Sequence, residues 1–71
     1  MLTNNETLIL DKMSYEKHLT SFEVKGSTEE LLDDLMKRGY LTRRGVGIAP
    51  GYKYKPDIAP PMQYAYKRVR L

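Results

Sequence analysis

The 71 residues include no cysteine and a single histidine, and twelve Lys and Arg against nine Asp and Glu give a net charge of +3. One small domain is all such a length supports, burying only about 60% of the surface of its unfolded chain, with no disulfide or thiolate-bound metal to brace it, so a homodimer stays open as a source of further burial. No apolar run approaches a bilayer span, and "MLTNNETLIL" lacks the basic opening and cleavage site of a signal peptide, so a soluble, cytoplasmic, reducing setting without a membrane partner is expected.

Three times in the first thirty residues a Ser or Thr is followed three places on by Glu: Thr3 and Glu6, Thr20 and Glu23, Ser27 and Glu30. Each pair is a capping-box signature and predicts a helix start. The first predicts a helix over 4–17, with Leu8, Ile9, Leu10 and Met13 supplying its buried side. The second predicts a short helix over 21–25 anchored by Phe22, although "HLTSFEV" also reads as a short strand because Val24 favours extension. Gly26 makes the turn.

The third signature opens the most regular stretch of the chain, a helix over 28–38. Leu31, Leu32, Leu35 and Met36 form one apolar ridge, while Glu29, Glu30, Asp33 and Asp34 lead and Lys37 and Arg38 trail, as the helix dipole favours. Gly39 can take the left-handed backbone that closes a helix, and Tyr40 and Leu41 then return to the core at the start of a strand over 40–44. Pro50, Pro56, Pro60 and Pro61, with Gly45, Gly47 and Gly51, predict a long loop over 45–62 rather than a ladder. "QYAYKRVRL" alternates as a strand over 63–70, with Tyr64, Tyr66, Arg68 and Arg70 on one face and Ala65, Lys67, Val69 and Leu71 on the other. The expected fold is therefore α+β: three helices followed by a C-terminal two-stranded β-hairpin, within a single domain over 1–71.

Charge divides this chain along its length. Residues 1–40 hold five basic and eight acidic groups, whereas residues 41–71 hold seven basic groups against Asp57 alone. Folding the hairpin gathers Arg43, Arg44, Lys53, Lys55, Lys67, Arg68 and Arg70 onto one element, a composition suited to phosphates or to an acidic protein surface. Tyr52 and Tyr54 alternate with the loop lysines and can stack on bases or anchor an interface.

Catalysis has little to work with. His18 is the sole imidazole and reads as a surface side chain. The paired carboxylates of the third helix read as a solvated helix start, and "GVGIAPG" has no phosphate-loop spacing, so no enzyme, metal site or cofactor is expected.

The run "LTSFEVKGSTEELLDDLMKRGYLTRR" resembles a winged helix-turn-helix domain of the kind found in bacterial and phage regulators: a short helix, a tight turn, a longer helix with paired leucines, then "KRGYLTRR" where such domains enter their wing. The resemblance implies a small winged helix that binds duplex DNA as a transcriptional or phage/mobile-element regulator, with the ribbon as its wing. In DNA-binding members the helix matching 28–38 enters the major groove. Here that helix carries Glu29, Glu30, Asp33 and Asp34, which phosphates would repel, so the wing is expected to carry the binding. Winged helices that bind only protein share the same junction, which keeps a protein-interaction module as the alternative.

Overall fold

Thr3 begins the first helix as its spacing foretells. Its hydroxyl accepts from the Glu6 amide at 3.1 Å, and the Glu6 carboxylate accepts from the Thr3 amide at 2.8 Å. In the computed structural model, which describes residues 1–48, 51–53, 55–57 and 61–70, this capping box opens α1, Asn4–Lys12. The backbone bond from Thr3 is the main cause holding the Glu6 carboxyl below the usual range, with the Arg38 guanidinium adding to it.

Helix α1 stops well short of the expected residue 17. Met13 is already extended, and the Ser14 hydroxyl accepts from the amides of both Glu16 and Lys17 at 3.0 Å, building a local turn that competes with further helix. Of the expected buried side, Ile9, Leu10 and Met13 are buried, but Leu8 is exposed.

The expected second helix is a single 3₁₀ turn, Ser21–Glu23. Among the described residues the fold has two α-helices and a hairpin, not the three helices of the expected winged helix. Two tethers leave no room for more. Leu19 is bonded to Tyr66 in both directions, and the Ser27 hydroxyl donates to the carbonyls of Ser21 and Val24, at 3.2 and 2.7 Å. Phe22, expected as the anchor, is 77% exposed, and Val24 takes its place in the core at 2%.

Helix α2, Glu29–Lys37, is capped by Thr28 rather than Ser27: the Thr28 hydroxyl accepts from the Leu31 amide at 3.2 Å. It ends in a Schellman arrangement. Gly39, at φ +91°, donates to the Met36 carbonyl, and Tyr40 reaches back to the carbonyl of Leu35, both at 3.0 Å.

Strands β1, Leu41–Ile48, and β2, Met62–Arg68, form an antiparallel ribbon whose register runs from Leu41 opposite Arg68 to Ile48 opposite Met62. The expected loop thus starts later than residue 45. Gly45 and Gly47 lie within β1 and flank a bulge that leaves Val46 unpaired, and a side chain on Gly45 would press against Met62 Sδ. Ile9, Leu10, Met13, Val24, Leu32, Leu35, Leu41 and Tyr66 form the core. Only the first residue of β1 is buried, so the ribbon reaches out from the helices and the molecule measures 41 × 20 × 19 Å.

Candidate nucleic-acid interface

Alternation along the strands sorts the ribbon's side chains into two faces. Arg43, opposite Tyr66, points toward α2. Its guanidinium pairs with the Asp33 carboxylate and lies 4.1 Å from the centre of the Tyr64 ring. The Tyr66 hydroxyl sits 3.5 Å from the same carboxylate, a long hydrogen bond, and burial raises the pKa of that phenol. Burial also works against charge on Arg43, but its contacts with Tyr66 and Asp33 outweigh that and raise its pKa.

An open cleft of about 240 Å³ on this side is lined by Glu29, Glu30, Asp33, Arg43, Tyr64 and Tyr66. Three carboxylates around one engaged arginine make it a poor seat for an anion. Lys37 Nζ and Arg38 draw further on the acids of α2, lying 3.5 Å from Asp33 and 3.2 Å from Asp34, and Arg38 also binds Glu6 at 2.5 Å.

At the far end of β2, Arg68 and Arg70 stack on the Tyr15 ring, with guanidinium carbons 4.7 and 4.5 Å from its centre. Arg68 lies 3.9 Å from Asp11, and Arg70 binds Glu16 at 2.5 Å. These two arginines pin the segment after α1 to the ribbon. Tyr15 was invisible as their partner in the sequence, because long-range backbone bonds, from the Arg68 amide to the Ser14 carbonyl at 2.8 Å and between Leu19 and Tyr66, bring that segment beside β2.

Arg44 and Lys67 fare differently. Both fall on the face opposite Arg43, and neither forms an ion pair among the described residues. Lys67 borders a second open cleft, of about 350 Å³, with Tyr15, Thr42, Arg68, Val69 and Arg70. Among the described residues no carboxylate lines it, but Arg68 and Arg70 are already engaged by Asp11 and Glu16, which leaves Lys67, the Thr42 hydroxyl and the Tyr15 phenol as the donors there that no described acid holds. Lys53 and Lys55 are exposed in the loop, outside either strand and likewise without an ion pair among the described residues. Tyr52 is half-buried and its hydroxyl has no hydrogen-bond partner among the described residues, while Tyr54 lies outside them.

The seven cations expected on one element therefore do not share one surface. Arg43, Arg68 and Arg70 are engaged by acids of the helical half, and Arg44, Lys67, Lys53 and Lys55 keep their charge for the outside. Among the described residues, no helix is long and apolar enough to cross a membrane. Compared with protein-family models, curated proteins and solved structures, the chain matches none.

Proposed function

We propose that this protein is a small, non-enzymatic nucleic-acid-binding protein that grips duplex DNA by its phosphate backbone through the outer face and loop of its ribbon. The observation that carries the reading is that Arg44 and Lys67 share the outer face of the ribbon and neither forms an ion pair among the described residues. Lys53 and Lys55 extend that charge along the loop. Regulation of transcription, in a phage or mobile element, is the role that fits a miniature of this kind. The likeness to winged helix-turn-helix regulators rests on α2, the turn at Gly39 and the two strands, since residues 21–23 form one 3₁₀ turn in place of the short middle helix.

Helix α2 does not serve as a reading head in this proposal. Glu29 and Glu30 stand at its exposed N-terminal turn without an ion pair among the described residues, and they would meet groove phosphates with like charge. Binding is accordingly dominated by phosphate contacts and weakly selective for sequence.

A labelled duplex titrated at about 50 and about 200 mM salt tests this. Three or four phosphate contacts predict a log–log salt slope of roughly −3 and an affinity loss of roughly 50-fold across that range. Absence of binding at the lower salt refutes the proposal.

One observation favours a second reading, docking to another protein. Val46, Ile48 and Met62 are exposed near the distal end of the ribbon, with Ile48 and Met62 paired across it. A partner held there would stay bound at the higher salt, because apolar burial is not screened.

A further inference from the structure

The ribbon has a third neighbour. Leu19 exchanges both backbone hydrogen bonds with Tyr66, at 2.8 and 2.7 Å, so β2 lies between β1 and the segment around Leu19. Leu19 pairs with the inward Tyr66, and alternation places the next position, His18 beside Lys67, on the outer face. Thr42 lies opposite Lys67 on the other side, with Arg44 one step along the same face.

His18 is half-buried, and its pKa is lowered by burial first, then by the charges of Arg44 and Lys67. Each strand of the ribbon thus sets one cation against the imidazole. The acid nearest to His18 in the chain, Glu16, is held by Arg70. With neither cation ion-paired among the described residues, three nitrogen-bearing side chains share one face of the sheet.

We propose that His18, Arg44 and Lys67 form the seat for one backbone phosphate of bound nucleic acid, and that His18 takes up a proton from solvent as the phosphate arrives. This rests on the nucleic-acid-binding reading above and locates it. Without an anion, Arg44 and Lys67 oppose a proton on the ring. A phosphate among them offsets that opposition and accepts from the ring, which favours the imidazolium, in which both ring nitrogens are donors. By linkage, affinity then rises as pH falls through the histidine range.

The test measures binding of a short labelled duplex at about 50 mM salt, at pH near 7.5 and near 5.8, for the wild type, His18→Gln and His18→Lys. The wild type should bind roughly two- to fivefold tighter at the lower pH, the change that a rise of half to one unit in the ring's pKa produces across that interval. His18→Gln should bind equally at both, and His18→Lys should bind tightly at both. A nuclear magnetic resonance titration of the wild-type ring protons keeps the proposal testable should a variant fail to fold. Duplex should raise the pKa of His18, and inorganic phosphate at matched concentration should not.

Duplex binding with the same pH dependence in wild type and His18→Gln overturns the seat and leaves DNA binding standing. Binding at neither pH overturns both. A ring that responds to inorganic phosphate and not to duplex overturns the assignment to nucleic acid.

Discussion

On the face of the ribbon turned to α2, Arg43 meets Asp33 and stacks on Tyr64, whereas on the opposite face Arg44 and Lys67 meet no carboxylate among the described residues. Adjacent residues of one strand thus have opposite fates. A cation facing the acidic helix becomes a strut between helix and ribbon, and its neighbour, rotated to the other side by the pleat, remains available to a partner. Formal charge counted along a chain therefore overstates the charge that a ligand can find.

The inner face breaks most severely. Tyr66→Ala removes a ring that is 1% exposed and joins β2 to the helices, and is expected to cost about 3–5 kcal/mol, enough to unfold much of a domain this small. Urea denaturation followed by circular dichroism measures it, and a loss below about 1 kcal/mol would mean that the ribbon does not depend on the core.

The contrast between faces is sharpened by paired charge reversals. Arg44→Glu with Lys67→Glu should lower duplex affinity by roughly 10- to 100-fold at about 50 mM salt and flatten the salt slope by about two. Arg43→Glu should leave that slope nearly unchanged while lowering the melting temperature, since it sets a carboxylate against Asp33. Equal losses of affinity from the two changes would erase the distinction drawn between the faces.

The smallest effect lies off the ribbon. Phe22→Ser should shift stability by no more than about 0.5 kcal/mol, because the ring is already in water, and it should leave duplex binding intact. A larger loss of binding would place a contact surface on the 3₁₀ turn instead.

Helix α2 and its junction with β1 were legible because their causes are local. The Leu31 to Met36 ridge and the φ of Gly39 act within a few residues, whereas the cap falls on Thr28, one place after the Ser27 of the expected signature. The Thr20 and Glu23 signature was equally local: the Glu23 carboxylate accepts from the Thr20 amide at 3.3 Å and hydroxyl at 3.1 Å. Yet it yields only one turn, because Leu19 is claimed by Tyr66, a residue 47 positions later. Burial of Val24 in place of Phe22 follows from the same tether, since a three-residue turn has no periodicity from which to read an inward side.

The candidate site was legible in part. Alternation correctly placed Tyr66 and Lys67 on opposite faces of β2, and the register then put Arg43 with the first and Arg44 on the side of the second. Which cations were free was beyond reach, as was the place of His18.

Sequence alone determined the segregation of charge between the two halves, the amphipathic α2, and the ribbon that follows Gly39, since composition, periodicity and backbone stereochemistry need no distant partner. Tertiary structure alone decided that Arg43, Arg68 and Arg70 are spent on Asp33, Asp11 and Glu16, and that His18 stands beside Lys67. Ion pairs and strand neighbours join residues 10 to 57 positions apart, and a pairwise attraction that falls with distance in space leaves no trace in the order of the chain.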